Sequence, residues 1–165
     1  MASGKSTVAQ APAEQLPRAA HVRGDVFRRM IVSGREEYVP GGDGEAETQL
    51  RLRYRLSAAT ADAYAEAGFT AVGQDVVLGG DLSLYDGLVR TRPLYVVVLA
   101  PSPETVAARE AGRAKTGYGA WTVADLDGAL RDSTPRPGLW LDSSDLTVGE
   151  TVEAILAGRE RARVR

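Results

Sequence analysis

The stretch Met1-Ala-Ser-Gly-Lys-Ser-Thr7 decides how the rest of the chain is read. It matches the second half of a phosphate-binding loop, G-x-x-x-x-G-K-[ST], with Gly4, Lys5 and Ser6 in the last three places. Each residue type has a reason to be there. Gly4 lets the backbone come close to a phosphate and turn its N–H groups inward. Lys5 is a mobile point charge for β- and γ-phosphates, and Ser6 offers a hydroxyl to Mg²⁺. Ser3 and Thr7 flank these groups. The run from Ser6 to Ala11 starts a helix whose dipole and free N–H groups face the same anion. A Gly-Lys-Ser triple also arises by chance at helix starts, so the remaining chain has to support the reading.

Two features cut against a complete motif. The first glycine of the pattern and the buried strand that feeds it would lie ahead of Met1. Pro12 falls inside the first helix, where it removes a donor and crowds the preceding turn. A kink or early end is expected there.

At 165 residues, 44% apolar and 25% charged, the chain has the size and composition of one globular domain. A net charge of −2 offers no basic field for nucleic acid or anionic membrane. The absence of cysteine excludes disulfides and thiolate metal sites, and His21 alone gives little material for histidine chemistry. No apolar run reaches membrane-spanning length, and the start is no signal peptide, so a cytoplasmic protein is expected. Among the 20 basic residues only Lys5 and Lys115 are lysines. One lies in the phosphate loop and the other among the glycines of a later loop.

Taken in order, Ala19–Arg23 reads as a short strand, followed by a helix capped by Asp25. Residues 33–44 are a glycine-dense loop of the kind that closes over substrates. Residues 45–67 are helical, with Leu50, Tyr54, Ala58, Ala61 and Ala65 on the inner side and Gly68 as the stop. Arg51, Arg53 and Arg55 fan around that helix and read as a solvated face.

Phe69–Leu78 reads as a buried strand, 82–89 as a short helix and 93–100 as a strand covered on both faces. Ser102-Pro103-Glu104 opens a helix running to about Arg109. A basic loop, 112–119, and a helix from Thr122 follow. Leu139–Asp142 is a last strand, and Thr147 with Glu150 forms a capping box for the closing helix. Residues 159–165 are expected to fray. The predicted organisation is one domain over 1–158, with a lid around 109–121 and a C-terminal tail.

Alternating strands and helices predict a parallel sheet with helices on both faces, and ligands bind beyond the carboxyl ends of such strands. Gly4–Ser6, Asp25, Asp75 and the loop after Ala100 all fall at that rim. Phosphoryl transfer needs a phosphate cradle, a metal, an acceptor for the attacking hydroxyl's proton and cations for developing charge. Asp25 suits the proton acceptor, though it equally suits a helix cap. Asp75, at the end of an apolar strand, is costly unless it pairs, faces a metal or binds substrate. Arg109, Arg113 and Lys115 suit a lid over the nucleotide.

The order Gly-Lys-Ser-Thr, Arg-Gly-Asp-Val-Phe-Arg, Gln-Asp-Val-Val-Leu-Gly-Gly and an arginine-rich lid resembles small P-loop kinases. It is similar to chloramphenicol phosphotransferase-like and AAA-type ATP-binding kinases, over nearly the whole chain. The resemblance implies a three-layer, nucleoside-kinase-like P-loop NTPase fold, ATP, Mg²⁺ and a small hydroxylated acceptor. It places the general base at Asp25 and the strand-end aspartate at Asp75, with Ser6 and Asp75 toward the metal. In such folds the first strand lies mid-sheet, so a gap is expected between the strands ending at Asp75 and Ala100. An alternative is a nucleotide-binding remnant or regulatory module without turnover. A nucleic-acid end-processing kinase is disfavoured by the acidic pI.

Overall fold

The computed structural model describes residues 2–38, 44–112 and 121–165. Helix α1 (Lys5–Gln15) leads into β1 (Ala19–Arg23), which passes directly into α2 (Gly24–Arg29). The long α3 (Gly44–Glu66) is followed by β2 (Thr70–Gln74), α4 (Asp81–Leu88) and β3 (Val97–Leu99). Then come α5 (Pro103–Ala111), α6 (Val123–Ser133), β4 (Leu139–Leu141), α7 (Val148–Ala157) and α8 (Arg159–Ala162). This is an α/β fold, and its ladders are parallel.

β1 pairs with β2 from Ala19↔Thr70 to Arg23↔Gln74, and β3 pairs with β4 from Val97↔Leu139 to Leu99↔Leu141. Among the described residues the two pairs form separate two-stranded sheets, so β2 and β3 share no ladder, in line with the gap expected there. Helix α1 packs on β1, β2 and α7 and so links the two halves. Helices α1 and α3 both contact β1 and β2 without comparable contact with each other, as helices on opposite faces do. Val8, Val22, Tyr54, Ala58, Leu82, Leu139 and Val152 are buried between these layers.

Several expectations are corrected. Pro12 does not end α1, which runs through it to Gln15. Asp25 is not the cap of α2: Arg23 takes that position and Asp25 lies in the first turn, where its charge still favours the helix dipole. β2 stops at Gln74 because its partner stops at Arg23, and residues 75–78 leave the ladder. The apolar run 93–100 contributes only three residues to β3. Its first residues pair with the C-terminus instead: Leu94 N–H donates to Arg165 O, Val164 N–H to Leu94 O, and Val96 N–H to Ala162 O. Residues 159–165 are therefore not frayed; Ala162 is buried and Arg163 bridges to Tyr95.

The caps read at Ser102 and Thr147 are present: Ser102 Oγ accepts from Thr105 N–H, and Thr147 with Glu150 completes a capping box. Thr122 with Asp125 forms a further box that the sequence reading did not name.

Candidate active site

Gly4 is the N-cap of α1 and adopts φ 85°, ψ 0°, a left-handed conformation that favours glycine. Gly4 brings no capping side chain to the helix start, and a helix N-terminus suits an anion. Lys5 Nζ donates to Ser3 Oγ at 3.2 Å, and Ser6 Oγ donates to Gln74 Oε1 at 3.1 Å. The second bond ties the phosphate-loop hydroxyl to the carboxyl end of β2, immediately before Asp75. A helix start led by left-handed glycine fits a phosphate chain. A nucleotide-bound Mg²⁺ takes most of its oxygens from phosphate and water, so the exposed Ser6 hydroxyl matches that ion. Among the described residues no group of three or more His, Cys, Asp or Glu forms a ready-made metal cage.

Asp25 lies at the carboxyl end of β1, with its side chain about half exposed. Arg29 Nη2 stands 2.9 Å from its Oδ2 and Arg23 Nε 3.5 Å from its Oδ1. These two cations flank a carboxylate whose Oδ1 is itself out of solvent and without a hydrogen-bond partner, although the side chain as a whole is half exposed.

Asp75 is in the opposite situation, with a side chain only 6% exposed. Its Oδ1 accepts from Val76 N–H at 2.7 Å and meets Arg53 Nη2 at 2.9 Å. Its Oδ2 has no hydrogen-bond partner and faces Gly24, where an added Cβ would lie 1.9 Å away. Burial pushes the Asp75 carboxyl above its ordinary range, against the pull of Arg53, the Val76 amide and Lys5; Asp25 pushes the same way as burial. Lys5, Asp25 and Arg53 thus all bear on the Asp75 carboxylate at one rim.

Arg53, read from sequence as part of a solvated face, is in fact a member of this rim. Its guanidinium stacks 5.4 Å from the Tyr54 ring centre and donates to Val76 O at 3.4 Å. Tyr54 OH donates to the same carbonyl at 3.1 Å, and its ring meets Tyr85 edge-on. Burial pushes both phenols up. The signal for Arg53 was present: a carboxylate at the end of an apolar strand requires a cation, and α3 supplies one.

Arg109 donates to Ser143 O at 3.0 Å and Ser144 O at 3.2 Å, tying α5 to the loop at the carboxyl end of β4. Arg113 and Lys115 lie outside the described residues. The loop after β2 is anchored by Gly79 N–H donating to Thr134 Oγ1 at 2.7 Å, which brings the end of α6 against it.

A family model described as AAA domain matches residues 1–131. No curated protein matches the chain. Among solved structures, a sugar kinase from Janibacter sp. HTCC2649 is 19% identical, with a TM-score of 0.66 over 98% of this chain and 90% of that one. A candidate kinase from Chloroflexus aurantiacus j-10-fl is 16% identical, with a TM-score of 0.53 over 97% and 91%. Among the described residues no helix is long and apolar enough to cross a membrane. With its Gly-Lys-Ser helix start and strand-end aspartates, the chain belongs to the AAA domain family of kinase-like P-loop proteins.

Proposed function

We propose that the chain is an ATP-dependent phosphotransferase that moves the γ-phosphate to a hydroxyl of a small molecule. The observation that carries this reading is the convergence of Lys5, Ser6, Asp25 and Asp75 beside the start of α1. Lys5 and the α1 amides would hold the phosphates, and Ser6 and Asp75 are the residues that would hold a nucleotide-bound Mg²⁺. When bound, the metal offsets phosphate charge. Asp25 receives the acceptor's hydroxyl proton as the acceptor oxygen bonds to the γ-phosphorus and the bond to the β-phosphate oxygen breaks. Arg113 and Lys115 are assigned to the lid and the transferred charge. Arg109, whose Nη2 already donates to two carbonyls, would offer its remaining N–H groups.

The test is calorimetric ATP binding alongside ADP release with a panel of hydroxylated compounds. Asp25→Asn should lower turnover about 10²–10⁴-fold while ATP affinity stays within twofold. Lys5→Ala should lose most nucleotide affinity. Equal loss of binding and turnover in Asp25→Asn would make Asp25 a structural residue. A second reading, nucleotide binding without turnover, draws on the two unjoined sheets, which leave the phosphate loop less firmly braced. Tight ATP binding with no ADP release for any acceptor would favour it.

A further inference from the structure

Tyr38 and Trp121 are far apart in sequence yet lie face to face. Their ring centres are 6.0 Å apart and their planes differ by 7°, and Trp121 Nε1–H donates to Tyr38 O at 3.0 Å. The pair is outside the core, with Tyr38 half exposed. It is nevertheless held in place. Gln49 of α3 donates to Gly34 O at 2.8 Å and accepts from Glu36 N–H at 3.0 Å. Arg28 of α2 pairs with Glu37, the residue beside Tyr38. Upstream on the same connection Met30 is 64% exposed and Val32 95%. A surface this apolar, braced from two helices, is more than a solvated turn needs.

The brace also leads back to the rim. Arg28 lies three residues after Asp25 in α2, so the two share a face, with Cβ atoms about 5–6 Å apart. Arg28 and Arg53 line one small cavity together with Phe27 and Gln49, which brings the Arg28–Glu37 pair toward the Arg53–Asp75 pair. A line of polar groups therefore runs from the proposed base to the aromatic stack.

We propose that this stack, with the Arg28–Glu37 pair, seats a ring-shaped, hydroxyl-rich acceptor such as a pyranose or cyclitol; the proposal rests on the kinase reading above. Such a ring has an apolar C–H face, which suits the electron-rich face of Tyr or Trp. Its rim carries neighbouring hydroxyls, which suit one acceptor and one fixed donor side by side, as a carboxylate and a guanidinium provide. A few placed polar groups on an apolar wall is the general form of a small-molecule site. A flat aromatic acceptor would need the stack alone.

Saturation-transfer NMR on the full chain tests binding without catalysis, using methyl pyranosides and inositols, with sorbitol as an open-chain control and phenol as a flat one. The ring polyols should receive saturation on their C–H protons. The effect should vanish in Tyr38→Ala and return in Tyr38→Phe, and Glu37→Gln should weaken it at least fivefold. In turnover, Tyr38→Ala should raise the acceptor KM at least tenfold with ATP affinity unchanged. Saturation confined to phenol, equal for sorbitol and the rings, or unchanged in Tyr38→Ala overturns the subsite. Ring-polyol contact that depends on Tyr38 in a chain that binds no ATP would sink the kinase reading and keep the subsite. ATP binding without such contact does the reverse.

Discussion

At Asp75 a carboxylate sits almost out of water with one cation beside it, and breaking such a pair costs more than the pair contributes. Removing one partner of a buried ion pair typically costs about 3–5 kcal/mol, because the other charge is left without compensation. Arg53→Met should therefore destabilise the chain by roughly 3 kcal/mol, and the double variant with Asp75→Asn should recover a large part of that. The pH dependence has a definite sign. Burial already raises the Asp75 carboxyl above its ordinary range, and loss of Arg53 raises it further. A group raised in the folded state stabilises below its unfolded value, near 3.9, and that contribution is lost as pH rises through the folded value. Urea unfolding should accordingly show a smaller Arg53→Met deficit at pH 4 than at pH 7; an equal deficit at both would sink the buried-charge account. Arg53 escaped the sequence reading because Arg51 and Arg55 stand about 40° apart around α3 with Arg53 roughly 160° from each, and spacing alone does not say which side faces the strands. Asp75, by contrast, was legible, since its position at the end of an apolar run requires a partner.

Helix α3 shows why that rotation was hidden. Its buried residues are Ala46, Tyr54, Ser57, Ala58 and Asp62, so two polar side chains occupy the inner face. Ser57 shares a hydrogen bond with Tyr85, and Asp62 accepts from the Arg90 and Thr91 amides. Hydrophobic periodicity passes over such positions because it does not see the partners that satisfy them. The helix boundaries were easier to read: caps at Ser102 and Thr147 are local chemistry, fixed within a few residues. Between β1 and α2 there is no linking residue, and Gly24 occupies the junction against Asp75 Oδ2. Gly24→Ala should force the carboxylate off Arg53 and destabilise by about 1–3 kcal/mol, as overpacking does. If the clash is the cause, Gly24→Ala made in an Asp75→Ala background should cost under roughly 0.5 kcal/mol. Chemical denaturation of the four members of this cycle measures it, and additive losses would place the strain elsewhere.

Across the whole molecule, β2 pairs only with β1 and β3 only with β4 among the described residues. Among the described residues each of these strands keeps one edge outside any ladder, while α1, which carries the phosphate loop, packs against β1, β2 and α7. The order of strands and helices was legible from alternating apolar runs and turns. The pairing of Leu94 and Tyr95 with residues 163–165 was not, because nothing local in a charged C-terminal segment announces a long-range partner. An unpaired strand edge in a parallel sheet leaves backbone groups whose hydrogen bonds are each worth about 0.5–1.5 kcal/mol net. Against a domain stability of about 5–15 kcal/mol, several such bonds are a large fraction. An added N-terminal segment of about six apolar, β-branched residues ending in glycine is long enough to form a strand. It should join β2 to β3, raise the melting temperature by several degrees and tighten ATP binding, since the start of α1 would then hang from a rigid strand. A scrambled polar segment of the same length is the control. Thermal unfolding with and without MgATP reads both effects, and hydrogen exchange at β2 and β3 amides reports whether new protection appears there. Equal melting temperature and affinity for both extensions would show that the edges are already satisfied by other contacts, and that α1 holds the loop without help from the sheet.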